Sequence, residues 1–142
     1  MADGERTVVQ LMVSASLARR LIEAGAKKGA ELGKAFTIAI VDGSGVLKAL
    51  ERMDGAPLVS VQVAQDKAYT AVGFGISTAA WHDFIKDDPP LLHGIVHTPR
   101  LVVFGGGYPL NLDGGVAGGI GVSGGHYHQD MQVAEAALAA LR

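Results

Sequence analysis

Ten of the chain's 20 glycines lie between Gly105 and Gly125. Apolar residues interleave with them, so the segment reads as tight turns and close backbone contacts within a folded unit, not as a flexible linker. Its densest part, residues 116–128, reads Val116-Ala-Gly-Gly-Ile-Gly-Val-Ser-Gly-Gly-His-Tyr-His128. The pattern is a strand, a glycine turn at Gly124 and Gly125, and the first turn of a last helix. A helix start offers unpaired N–H groups and a positive dipole end. Two of the five histidines, His126 and His128, fall there together with Tyr127, which makes this stretch the first place to expect a ligand.

The bulk composition excludes several classes. At 142 residues, with 49% hydrophobic and 18% charged, the chain is expected to be one globular domain spanning 1–142. Glycines and charges interrupt every apolar run before membrane-spanning length, so no membrane partner is expected. The first six residues, Met1-Ala-Asp-Gly-Glu-Arg6, carry acids and no apolar signal segment, and the expected location is cytoplasmic. Zero cysteines exclude disulfides, thiolate chemistry and the softest metal ligands. A net charge of −2 without a basic cluster argues against nucleic acid as a partner.

Taken in order, residues 7–13 are β-prone, and Ser14 can cap a helix reaching about residue 32, with Leu17, Leu21 and Ala24 as its apolar stripe and Gly33 just past its end. Residues 36–41 and 46–52 form a hairpin across the turn 42–45. Residues 59–74 are helical, with Val59, Val63 and Ala71 on one side. Ser77 or Thr78 caps a short helix to about residue 86, which carries Trp81 and Phe84 and ends at Asp87-Asp-Pro-Pro90. Residues 91–98 are a loop or single helical turn. Residues 101–104, 108–112 and 116–122 read as three strands, and 127–141 as the last helix, with Met131, Ala134, Leu138 and Leu141 at helical spacing. The order α-ββ-α-α-βββ-α predicts an α+β fold: an antiparallel sheet, made of a hairpin plus a three-strand meander, with helices packed on it. Gly105-Gly-Gly107 is not a dinucleotide fingerprint, because proline and another strand follow where that motif needs a helix.

Five segments together resemble the GlcG/HbpS-like family: Ile40-Val-Asp-Gly-Ser-Gly45, Ala49-Leu-Glu-Arg-Met-Asp-Gly-Ala56, Ala64-Gln-Asp-Lys-Ala-Tyr-Thr-Ala71, Phe104-Gly-Gly-Gly-Tyr-Pro109, and Gly118-Gly-Ile-Gly-Val-Ser-Gly-Gly125 with Gln129-Asp130. The resemblance covers about residues 14–141. It implies a homo-oligomer that binds a small ligand, since members include haem-binding proteins and a domain fused to corrinoid adenosyltransferases. Haem is therefore the cofactor to expect, if there is one. Other members accompany catabolic genes and are assigned a lyase role on hydroxylaminobenzoate-type acids, which implies the alternative of a cofactor-free enzyme releasing ammonia.

The candidate residues follow from chemistry. His126 and His128 are open to acid/base work, metal ligation or axial contact with haem iron, and His97, just before a strand, is a further catalytic candidate within reach of the strand-end cleft. Arg52 suits a carboxylate grip, against a structural ion pair with Asp54. Lys67 and Tyr69 lie mid-helix, where a lysine can meet an anionic ligand and a solvated face is the commoner outcome. Gly106, Gly107, Gly124 and Gly125 serve close packing or present N–H groups to an anion. Tyr127, between the two histidines, is counted with them as a ligand-binding candidate. His82 and His93 read as surface residues, and no metal ligand set is assigned.

Overall fold

The protein is seen in a computed structural model that describes residues 4–141; residues 1–3, which begin the acidic N-terminal stretch, and Arg142 lie outside it. Two hairpins build the sheet: β1 (Thr37–Asp42) with β2 (Leu47–Arg52), and β3 (Gly107–Leu112) with β4 (Gly115–Ser123). β1 and β4 join them, giving one antiparallel sheet in the order β2-β1-β4-β3. The first hairpin is locally determined. The Asp42 carboxylate accepts the N–H groups of Ser44 and Val46 at 2.9 and 3.1 Å, and Gly45 takes the left-handed conformation. Helix α1 (Ala15–Glu31) begins where expected, with the Ser14 hydroxyl accepting the Leu17 N–H at 3.1 Å.

Strand alternation divides the sheet into two unlike faces. Phe36, Ile38, Ile40, Ile120 and Val122 form one face and make the main core with Leu21 and Ile22 of α1 and Val133 and Ala137 of α5 (Tyr127–Ala139). The opposite face offers Ala39, Gly107, Gly119 and Gly121, which are neighbours in the strand register. Helix α2 (Ser60–Phe74) lies directly on it. A Cβ added at Gly119 would stand 2.6 Å from the Ala68 carbonyl oxygen, and one at Gly121 or Gly107 would run into the Ala64 or Lys67 carbonyl. Helix backbone thus touches sheet backbone with no side chains between.

That contact explains a correction to the expected helix face. The buried residues of α2 are Ser60, Ala64, Lys67, Ala68, Thr70 and Ala71, whereas Val59 is exposed. A flat glycine surface accepts short side chains and excludes a valine stripe.

A second correction concerns the meander. Residues 101–104 join no ladder, so β3 and β4 are a simple hairpin and the sheet has four strands. Their backbone is held by α2 instead. The Thr70 hydroxyl donates to the Arg100 carbonyl and accepts the Val102 N–H, both at 3.0 Å. The β-prone residues 7–13 likewise form no strand, although the Val13 N–H reaches the Ala117 carbonyl at 2.8 Å.

The remaining elements are α3 (Thr78–Ile85), α4 (Pro89–Gly94) and a 3-10 turn (Ile95–His97). They enclose a small second core of Trp81, Ile85 and Ile95, against which Val103 packs. Phe74, Trp81 and Phe84 stack in sequence, with ring centroids 3.9 and 5.7 Å apart. No helix among the described residues is long and apolar enough to cross a membrane.

Two glycine substitutions separate close packing from helix propensity. Gly121→Ala should destabilise the protein by roughly 3 kcal/mol or more, because overpacking forces α2 off the sheet. Gly73→Ala sits in the same helix but meets nothing within 4 Å, and should stabilise it by about 0.5–1 kcal/mol. Urea denaturation of the two variants checks both signs.

Candidate functional site

The start of α5 is built by its own first residues. Gly124 has φ +148°, and a Cβ there would stand 2.7 Å from the Ala35 carbonyl oxygen. His126 is the N-cap: its Nδ1 accepts the His128 N–H at 3.2 Å, while Gln129 Oε1 accepts the His126 N–H at 3.1 Å. This is a reciprocal capping arrangement with histidine in the place usually held by serine or threonine. As an acceptor Nδ1 carries no proton, so the neutral ring holds its proton on Nε2. Asp130 completes the turn, its Oδ1 accepting the Gly125 N–H at 3.0 Å. The anion that the helix start was expected to attract is therefore supplied by the chain itself.

Beside this turn lies a cleft of about 440 Å³, within the roughly 300–1,000 Å³ typical of small-molecule sites. Helix α3 contributes Ala79, His82 and Asp83, which share one helical face by their spacing. The segment before β3 contributes Val103, Phe104 and Gly105, and α5 contributes Tyr127, His128 and Met131. Apolar surface predominates, with two imidazoles and one carboxylate set into it. Asp83 approaches His82 Nδ1 at 4.0 Å. Among the described residues no three histidine, aspartate or glutamate side chains cluster to hold a metal ion.

Behind the Phe104 wall is the least expected feature. Lys67 is fully buried. Its ammonium donates to Asp130 Oδ2 at 2.7 Å and to the Val122 carbonyl at 2.9 Å, and lies 5.0 Å from the centroid of the Phe104 ring. A solvated helix face was expected here; the close approach of α2 to the glycine face carries the lysine under the sheet's edge and into the interior. Burial holds the Lys67 ammonium below its ordinary pKa of 10.5, against the pull of Asp130, and holds the Asp130 carboxyl above its ordinary 3.8, against the pull of Lys67.

The other expected site residues divide. Tyr127 and His128 line the cleft, whereas His126 serves as the cap. Gly106 and Gly107 lie behind the wall: Gly106 packs on Lys67, and the Gly107 N–H donates to the Thr78 hydroxyl at 3.0 Å. His97 ends the 3-10 turn, exposed and outside the cleft lining. Arg52 donates through both Nε and a terminal nitrogen to the Ala56 carbonyl, at 3.1 and 2.7 Å, rather than pairing with Asp54. Tyr69 lies under the Arg100 guanidinium at 4.0 Å, and Arg100 Nε bonds Asp66 Oδ1 at 2.9 Å. His82, read as a surface residue, is a cleft residue; its i, i+3, i+4 relation to Ala79 and Asp83 was the available signal.

Residues 13–139 match the family model described as haem degrading protein HbpS-like. The chain belongs to the HbpS-like family. Corrinoid adenosyltransferase PduO of Salmonella typhimurium is 37% identical over 123 residues, covering 86% of this chain. The HbpS-like chain spans only 37% of that relative's length. Protein GlcG of Escherichia coli K12 is 33% identical over 114 residues, 80% of this chain and 83% of GlcG. The crystal structure of a PduOC:haem complex is similar at a TM-score of 0.85 and 35% identity, covering 92% of this chain and 95% of that one.

The buried pair generates a stability prediction. Lys67→Met or Asp130→Leu alone strands a buried charge and should cost roughly 3–5 kcal/mol, whereas the double variant should lie close to wild type. The pH dependence follows from the directions above. Between pH 3.8 and its raised folded pKa, Asp130 holds a proton more readily in the folded chain, so its contribution falls as pH rises. Between its lowered folded pKa and 10.5, Lys67 holds a proton more readily in the unfolded chain, so its contribution rises with pH. Wild type should therefore be least stable, relative to the double variant, near neutral pH, as denaturation midpoints across a pH series would show.

Proposed function

We propose that this HbpS-like chain binds haem, or a planar ligand of that kind, in the cleft between α3, α5 and the 103–105 segment. The observation that carries the reading is the placing of His128 and His82 in a cleft whose apolar walls are Val103, Phe104 and Met131 and whose rim also carries Asp83 and Tyr127. The haem complex of the structural relative PduOC supports it. An apolar slot with imidazole nitrogens fits the group, since Val103, Phe104 and Met131 would meet its apolar surface and His128 and His82 would offer nitrogen to its iron. When bound, haem supplies that iron and its redox chemistry.

The chain's own residues supply the rest. His128 is fixed at the second position of α5 because its N–H is tied to the His126 ring. Its own imidazole stays in the cleft. His82 reaches the same cleft from α3, beside the Asp83 carboxylate. Phe104 and Met131 exclude water from the ligand's faces.

No observation favours the lyase alternative. That reading set Arg52 against a substrate carboxylate beside a histidine, and Arg52 is committed to Ala56 and lines no part of this cleft.

Haem titration followed at the Soret band tests the proposal. Wild type should shift the band, and His128→Ala should weaken binding by about tenfold or more, the scale seen when a metal site loses a supporting group. His126→Ala should keep the bound spectrum and lower stability by roughly 0.5–2 kcal/mol through loss of the cap. An unshifted Soret band with wild-type protein would remove the haem reading.

A further inference from the structure

The Lys67–Asp130 pair touches both walls of the cleft while lining neither. From one nitrogen, Lys67 reaches three partners on three different segments. These are Asp130 on α5, the Val122 carbonyl near the end of β4, and the face of Phe104. A cation within about 6 Å of an aromatic centroid is attracted to the ring's face, so the ammonium favours one plane for Phe104. The second link runs through Asp130. Its Oδ2 takes the lysine and its Oδ1 takes the Gly125 N–H, which sets the backbone immediately before the His126 cap. From that cap the first turn of α5 presents Tyr127 and His128.

The ammonium occupies the space that a side chain at Gly106 would need. A Cβ at Gly106 would stand 2.7 Å from Nζ and 3.0 Å from Cδ, so the Gly106 backbone closes the space beside it. Gly106 also has φ +125°, which an L side chain rarely adopts. One glycine, one carbonyl, one carboxylate and one ring thus converge on a single buried ammonium.

We propose that Lys67 and Asp130 are the positioning residues of the ligand cleft: Lys67 fixes the plane of Phe104, and through Asp130 it fixes the turn that aims Tyr127 and His128. The inference rests on the cleft being the ligand site. A purely structural pair would affect the ligand only in proportion to stability, because an apolar replacement that restores packing would restore the cleft. A positioning pair leaves a well-folded protein with a misaligned cleft.

The full chain is compared as wild type, Lys67→Met, Asp130→Asn and the double variant Lys67→Met/Asp130→Leu. Thermal midpoint, haem titration, and NMR of the Phe104 ring and of the Gly125 and His128 amides without haem are measured on each. The expected result is a double variant with a near-wild-type midpoint, haem binding weaker by about tenfold or more, and displaced Phe104, Gly125 and His128 resonances. Asp130→Asn keeps an oxygen for the Gly125 N–H, and should move Phe104 more than Gly125. A double variant that is stable and binds haem as wild type does would overturn the inference. If wild type itself gives no Soret shift, the haem reading fails while the resonances still decide this one. Unmoved Phe104, Gly125 and His128 signals in any folded variant lacking Lys67 would then overturn it.

Discussion

The architecture depends on how closely α2 approaches the sheet. Gly107, Gly119 and Gly121 leave that face without side chains, and the carbonyl oxygens of Ala64, Lys67 and Ala68 occupy the space a methyl group would need. The helix can come so near because its buried residues, Lys67 apart, are small: Ser60, Ala64, Ala68, Thr70 and Ala71. Such packing is intolerant, since interiors are close-packed and an added methyl group has nowhere to go. The opposite face is ordinary by comparison, a mixed aliphatic core of Phe36, Ile38, Ile40 and their helical partners.

One consequence of the approach is polar. Lys67, brought inside, must find partners or lose its charge. It finds Asp130 and the Val122 carbonyl, and Asp130 also takes the partly buried Gly125 N–H of the glycine turn. A pair like this seldom adds net stability over apolar residues of similar volume. Its value lies in geometry, because it joins α2, β4 and α5 at a single point. The same point lies behind Phe104, where the cleft beside the glycine turn begins.

The histidine pair at the glycine turn shows how adjacent residues of one type take different tasks. His126 closes the end of α5 and His128 faces the cleft, two positions later on a helix whose start is fixed by the first. The haem-binding reading of this HbpS-like chain therefore leans on one histidine of that turn and on His82 from α3, with the capping histidine as support.

What the sequence determined was local. The Asp42 turn, the Ser14 cap, the two hairpins, the glycine turn and the α+β order were legible because each is set by residues within a few positions of one another, and the family resemblance followed from the same motifs. Residues 101–104 were not, since their strand-like composition is overridden by Thr70, some thirty residues earlier. Nor was the burial of Lys67, whose carboxylate partner lies 63 positions away, or the meeting of His82 with His128. Periodicity reports which residues share a face of one element. Only the tertiary structure decides what that face meets, and here the absence of side chains on the α2-facing side of β4 decided it by letting a helix carry a lysine into the core.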